Sequence, residues 1–339
     1  MSESCDATSR TNITEIKHVR RASVLLVLLS VLLIIINISF SSSSAYAIAA
    51  GTAKPTAGVN QATPPVYYTN GFVILNYHSI AEDESTYTIS PEHFTEQLTT
   101  LKKLGYNFVS LDTAAQFMEG KRALPANALV ITFDDGVDSF YRCAYPILKS
   151  NDIPATIFAI VSYVGKGSEI SQYLSWDNMR EMQRTGYFTF YSHTYSNHRY
   201  VTVDDKGTTL PALMARIYRG NGERETLGQY EKRIFSDLLK SRVVIENQLK
   251  HPVRYLALPY GASNWVSTNA AVAAGFKYIL SMRPGLNTRS TPSTKLCRFD
   301  AGNVQKSGPA VHNEVTTWIK RNSPQNIPMT SPLRQPVAK

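Results

Sequence analysis

Between residues 70 and 305 the chain alternates short apolar runs with amphipathic stretches, and this alternation limits its fold more than any other feature. Residues 72–77 form a short apolar run that reads as a buried strand. Ser90-Pro91 then supplies an N-cap and a first-turn proline, and Phe94, Leu98, Leu101 and Leu104 recur at helical spacing until Gly105. Strands are predicted at 107–111, 128–133 and 155–161, with a helical stretch around Phe140 and Leu148 before the last of them. A helix over 176–185 ends at Gly186 and leads into a strand over 187–191. A long amphipathic helix over 227–249 carries Tyr230, Ile234, Leu238 and Ile245 on its apolar side. A strand at 255–258, a helix at 265–274 ending at Gly275 and a strand at 278–282 complete the series. Repeated strand–helix units of this length imply parallel strands with right-handed crossovers, hence a barrel or a doubly wound open sheet. Neither GxGxxG nor GxxxxGK[ST] occurs, which removes the main support for a nucleotide-binding version.

The two ends read differently. Residues 1–21 are basic toward their end (Lys17, Arg20, Arg21), and 22–40 is an uncharged apolar segment of 19 residues. That order predicts a cytoplasmic N-terminus and export of the remainder of the chain. The segment's length suits a membrane anchor, while Ala45-Tyr46-Ala47 suits signal cleavage after Ala47, and both readings stand. The protein is thus expected at the outer face of the membrane, or secreted and held at the cell wall. Residues 48–68, rich in Ala, Thr, Gly and Pro, read as a linker, and 320–339 as a basic, proline-rich tail. With a net charge of +9, an exported chain can be held near anionic surface polymers or lipid headgroups, and it has no nucleic-acid motif. Three scattered cysteines (Cys5, Cys143, Cys297) exclude a disulfide framework or a zinc finger.

The chemistry lies where the strands end. The run ALVITF leads into Asp134-Asp135-Gly136, and FTFYS into His193 and, five residues on, His198. YLAL leads into Pro259-Tyr260-Gly261, and VILNY into His78. Singly, each piece has a plain reading: a turn, a surface histidine, a turn tripeptide. On a helix the two histidines would stand about 140° apart, so they share a ligand only if the segment leaves regular structure, as expected just past a strand. Four coincidences at the C-terminal ends of parallel strands, where α/β folds build active sites, argue for one site. One carboxylate and two neutral imidazoles make a three-ligand site for a divalent metal. The second carboxylate is free to act as a base, which points to metal-assisted hydrolysis without naming the substrate.

The runs TFDDG (132–136), SHTYSNH (192–198) and RYLALPYG (254–261) resemble, in order and kind, carbohydrate esterase family 4, the NodB-homology polysaccharide deacetylases, over residues 70–305. The resemblance implies a distorted (β/α) barrel of about seven parallel strands with its active site at their C-terminal ends. It implies Asp134 as catalytic base and Asp135, His193 and His198 as metal ligands, with zinc the default metal and cobalt or nickel the alternatives. It also implies Tyr260 as the backbone N–H donor to the oxyanion, and Arg254 as the residue that orients Asp134. The histidine separation of five is similar to the subgroup acting on biofilm poly-β-1,6-N-acetylglucosamine. The family's late Leu-x-x-His has no counterpart after Tyr260, whereas Leu75-Asn76-Tyr77-His78 fits and precedes Asp134, as in circularly permuted members, making His78 the implied general acid. The expected activity is N-deacetylation of an extracellular N-acetylglucosamine polymer. Peptidoglycan or chitin-type deacetylation and O-acetyl xylan esterase activity are the alternatives, and a non-catalytic glycan-binding protein is the alternative of another class. Asp177 reads as a first-turn helix carboxylate, Cys143 as a core residue and 199–229 as a polar insertion beside His198, either a lid or a surface loop.

Overall fold

The structure, a computed structural model, describes residues 64–167 and 172–322. Its centre is a parallel sheet whose first strand, β1 (Phe72–Tyr77), is buried along its whole length. Next in the chain are β2 (Ser79–Ile80), β3 (Thr88–Ile89), β4 (Asn107–Phe108), β5 (Ala128–Phe133), β6 (Ala155–Ala159) and β7 (Phe188–Ser192). Two small hairpins come after them, β8 (Tyr200–Thr202) with β9 (Thr209–Pro211), and β10 (Tyr218–Gly220) with β11 (Glu223–Arg224). The chain then returns to the sheet with β12 (Tyr255–Ala257), β13 (Tyr278–Leu280) and β14 (Phe299–Asp300).

The sheet order is β13-β12-β7-β6-β5-β1-β14, with β4 pairing on β5. It curls until Ser281 N–H reaches the Leu296 carbonyl and Leu296 N–H reaches that of Ile279, both at 2.9 Å, so the segment entering β14 meets β13. This is the expected distorted barrel of seven parallel strands. Because all pairs are parallel, every strand ends at the same rim, and a one-residue change of register would turn each inward side chain outward. Asn76 stands opposite both Thr132 and Asp300, which gathers polar residues at that rim.

Helices surround the sheet, and their ends are set by short polar side chains. The helix α1 (Pro91–Lys103) starts where Ser90 Oγ accepts the His93 N–H. The next, α2 (Leu111–Met118), starts where Ser110 Oγ accepts the Thr113 N–H. Strand β4 therefore stops at Phe108, short of the predicted 111, because the Ser110 cap commits the residues after it to a helix. The remaining helices are α3 (Tyr145–Ser150), α4 (Trp176–Gln183), α5 (Leu227–Leu249), α6 (Trp265–Ala273) and α7 (Gly308–Asn322). The long helix α5 opens on a reciprocal Thr226–Gln229 cap and buries Tyr230, Ile234, Leu238 and Ile245, as its periodicity predicts.

The folded unit extends past both expected boundaries. Tyr68 is buried and its hydroxyl donates to the Ala128 carbonyl at 2.9 Å, so the last residues of the expected linker belong to the core. At the other end α7 buries Val311, Val315 and Ile319, carrying the unit beyond 305. The insertion after His198 is ordered. Its hairpins enclose Val201, Val203, Ala212 and Ala215, and the buried Glu225 accepts from Arg233 of α5 at 2.9 Å. Among the described residues no helix is long and apolar enough to cross a membrane. The 22–40 segment, the cleavage site after Ala47 and the 323–339 part of the tail lie outside the described residues.

Candidate active site

Strand β5 delivers Asp134 and Asp135 to the rim in different directions. Asp135 (φ 69°) and Gly136 (φ 73°) are both left-handed, a reversal that Asp tolerates and Gly favours. The Asp-Asp-Gly run is therefore a turn and a site at once: the turn sends Asp134 inward and Asp135 toward the cleft. A Cβ on Gly136 would stand 2.9 Å from that of Ala159, so the neighbouring strand leaves room only for glycine.

Asp134 is 3% exposed and faces Arg298, which is fully buried. Arg298 Nη1 and Nη2 donate to the two carboxylate oxygens at 2.8 Å each, and Asn76 Nδ2 adds a third contact at 3.2 Å. The guanidinium is itself held, Nε donating to the Ser281 carbonyl at 3.0 Å and Nη1 to Asn76 Oδ1 at 2.7 Å. Burial alone would raise the carboxyl pKa, but Arg298 more than offsets it and keeps Asp134 ionised, far below the usual carboxylate range.

Here the expectation for Arg254 is corrected. Arg254 is half exposed and its Nη2 reaches Asp112 at 3.5 Å, away from Asp134. Arg254 precedes β12, whereas Arg298 lies on the segment that closes the barrel and points inward two residues before Asp300. The residue that orients Asp134 is Arg298. The run Leu296-Cys-Arg-Phe-Asp300 held the signal: Arg298 and Asp300 at i, i+2 share one face of an extended segment whose other face is apolar.

The remaining predicted residues converge. His193 Nε2 lies 3.5 Å and His198 Nε2 3.3 Å from Asp135 Oδ1. One ligand atom from each of the three residues fits within a 4.8 Å span. His193 donates from Nδ1 to the Ala257 carbonyl at 2.9 Å, which leaves the Nε2 lone pair facing Asp135. Burial pushes this imidazole down to about 4, against the pull of Asp134 and Asp135, so it is neutral at physiological pH. Asp135 Oδ1 is buried and has no hydrogen-bond partner among the described residues. An orphaned carboxylate oxygen facing two imidazole nitrogens is costly by itself and fits a cation at this point.

Tyr260 completes the rim in a left-handed conformation (φ 58°). The N–H groups of Gly261 and Ala262 are used by the carbonyls of Leu258 and Pro259, while that of Tyr260 donates to no acceptor among the described residues. Its ring packs 4.6 Å from His198 and 4.7 Å from Tyr200. Tyr200, from the first hairpin of the insertion, was not anticipated in the site. His78 lines the same cleft with its Nδ1 buried and unpartnered among the described residues, and Tyr87 stands edge-on to it at 5.1 Å. Asp300, also unanticipated, lines the cleft with a buried and similarly unpartnered Oδ1. The cleft has a volume of about 550 Å³ and brings together His78, Asp134, Asp135, His193, His198 and Tyr260. By contrast, Asp177 pairs with Arg180 on the exposed start of α4, and Cys143 packs against the core.

A barrel rim with an Asp-His-His cluster beside a second, arginine-held carboxylate defines a class of hydrolase domain, and the comparisons agree. Residues 121–279 match the polysaccharide deacetylase family. The poly-beta-1,6-N-acetyl-D-glucosamine N-deacetylase of Escherichia coli (strain K12) is 28% identical over 236 residues, covering 65% of this chain and 35% of its own length. That of Staphylococcus aureus (strain MRSA252) is 27% identical over 232 residues, covering 64% of this chain and 73% of its own. Among solved structures, the de-N-acetylase from Aggregatibacter actinomycetemcomitans superposes with a TM-score of 0.66 at 28% identity, over 71% of this chain and 98% of that one. IcaB from Ammonifex degensii superposes with a TM-score of 0.61 at 28% identity, over 74% and 97%. Over these residues the chain is similar to polysaccharide deacetylases. It spans about a third of the length of the Escherichia coli relative.

Proposed function

We propose that the protein is a metal-dependent N-deacetylase of an extracellular N-acetylglucosamine polymer, most simply poly-β-1,6-N-acetylglucosamine, and that it works outside the cytoplasm. The observation that carries this reading is the pairing of two unlike carboxylates at one rim. Asp135 presents an orphaned oxygen to two imidazoles, while Asp134 is held ionised by Arg298. The substrate class is taken from the curated relatives, and export from the 22–40 segment.

Asp135, His193 and His198 would hold the cation, with zinc the first choice. A divalent metal there supplies a Lewis acid that acidifies water and polarises the acetamide carbonyl. Asp134 accepts a proton from the attacking water. Its Oδ2 accepts from both Arg298 and Asn76, whereas Oδ1 accepts from Arg298 alone and keeps a lone pair for this task. The free Tyr260 N–H donates to the oxyanion, and its fixed left-handed backbone needs no rearrangement to do so. His78 protonates the departing amine, so that acetate and a free glucosamine are released.

The test is free-amine release from β-1,6-linked N-acetylglucosamine oligomers by the purified protein, with and without chelator, beside Asp134→Asn. Chelator-sensitive release is expected, reduced about 10²–10⁴-fold in Asp134→Asn while zinc binding persists. Release that survives complete metal removal would sink the metal-dependent reading. Activity confined to peptidoglycan fragments or acetylated xylan would overturn the substrate.

A further inference from the structure

The helix α5 touches the metal-site loop at three successive turns. Arg233, Asp237 and Ser241 recur at i, i+4 and i+8, one stripe on one face. Arg233 Nη1 reaches Asn197 Oδ1 at 3.4 Å. Asp237 Oδ1 accepts the Tyr195 N–H at 3.0 Å, and Asp237 Oδ2 accepts the Ser196 N–H at 2.8 Å and the Ser196 hydroxyl at 3.0 Å. Ser241 Oγ pairs with Ser192 Oγ at 2.7 Å. The stripe thus tracks residues 192 to 197, the segment that carries His193 and leads into His198.

That segment needs holding. Its two ligands are five residues apart, a separation that neither a helix nor a strand brings onto one point. The chain solves this by leaving regular structure at Thr194, a buried β-branched residue in the left-handed region (φ 73°). Such a conformation persists only where its surroundings over-determine it. Val161 and Ser162 N–H groups take up the carbonyls of Thr194 and Tyr195, and Ser192 Oγ accepts the Thr194 N–H. The N–H groups of Tyr195 and Ser196 go to Asp237 alone. Desolvation pushes the Asp237 carboxyl above its ordinary pKa, and among the described residues no cation pairs with it. A partly buried carboxylate without a counter-ion costs stability, and what it obtains here is the conformation of this loop.

We infer that Asp237 is a positioning residue of the metal site: by binding the two amides between the histidines, it sets His193 and His198 on a common point facing Asp135. The inference rests on the reading of Asp135, His193 and His198 as metal ligands. Its test reads zinc rather than deacetylation. Metal-free full-length protein is titrated with zinc against a chromophoric chelator, comparing the parent with Asp237→Asn, which turns one acceptor into a donor facing an N–H. Ile234→Val, one turn earlier on the same helix and facing the core, controls for a general loss of stability. Asp237→Asn is expected to raise the zinc Kd at least about tenfold, the scale seen when the groups supporting metal ligands are removed. Its kcat falls at limiting zinc and recovers in excess zinc, while KM for the glycan stays put. Ile234→Val lowers the melting temperature without moving the zinc Kd. A zinc Kd for Asp237→Asn equal to the parent's, at whatever melting temperature, overturns the inference. Should that variant fail to fold, Ser196→Ala decides: a severalfold weaker zinc site supports the role of Asp237, and an unchanged one overturns it. A parent chain that takes up no zinc would instead strike the proposed metal site itself.

Discussion

Among the described residues, Asp134 and Arg298 form the one charge pair from which water is excluded on both sides, at 3% and 0% exposure. Removing one member of such a pair leaves an uncompensated buried charge, at a cost of about 3–5 kcal/mol. Arg298→Met is therefore expected to lower the melting temperature sharply and to abolish turnover, since the Asp134 carboxyl then drifts upward and loses its orientation. Arg254→Met gives the contrast: its pair with Asp112 is half exposed, and such pairs are worth about 0–1 kcal/mol. Calorimetry and turnover on the two variants check the reassignment, and equal losses would refute it. The proposed ligands Asp135, His193 and His198 and the proposed base Asp134 could be picked out in the chain because each stands at or just past the end of an apolar strand. Arg298 was legible only as a polar residue sharing one face with Asp300; that its guanidinium reaches Asp134 across 164 positions is set by strand order.

At the scale of elements, the turns after the strands set the chemistry. Gly136→Ala combines a left-handed φ with a Cβ 2.9 Å from Ala159, whereas Gly186→Ala, also left-handed, meets nothing within 4 Å. Both variants incur the backbone penalty of more than about 1 kcal/mol. Only Gly136→Ala is expected to weaken zinc binding, because the strain moves Asp135. Zinc titration beside thermal melting separates the two effects. The end of α2 offers a pH-dependent case. Glu119 accepts from Lys121, Lys277 and Tyr278, contacts that lower its carboxyl to about 2 and tie α2 to β13. A depressed carboxylate contributes stability that is present above its unfolded pKa, about 4.3, and is lost as the pH falls through the folded value. The melting curves of the parent and Glu119→Gln should therefore differ near neutrality and converge between about pH 4.5 and 2. A gap that stays constant over that range would show that the contacts do not act through charge.

For the whole molecule, the reach of the fold is the main departure from what the chain suggested. The helix α7 lies beyond the expected boundary at 305, although Val311, Val315, Trp318 and Ile319 have helical spacing and Gly308-Pro309 opens them. The basic and proline-rich character of the final residues masked that pattern. Deleting residues from 308 onward would uncover the surface against which Val311, Val315 and Ile319 are buried. At about 1.5–3 kcal/mol for each side chain, this loss is comparable to the whole stability of a typical domain. The shortened chain should unfold over a broad, non-cooperative transition. A sharp transition near the parent's temperature would show that α7 is an addition to a self-sufficient barrel.

By itself the sequence determined the parallel strand–helix series, the rim at which the strands end and the residues that stand there. These arise from local periodicity, caps and turn chemistry, which act over a few residues. Only the tertiary structure decided which arginine holds Asp134, that Tyr200 and Asp300 enter the cleft, and that α5 grips the loop between the two histidines. Those contacts join residues far apart in the chain. The order and register of the strands and the packing of helices on them bring such residues together, and no local pattern records either.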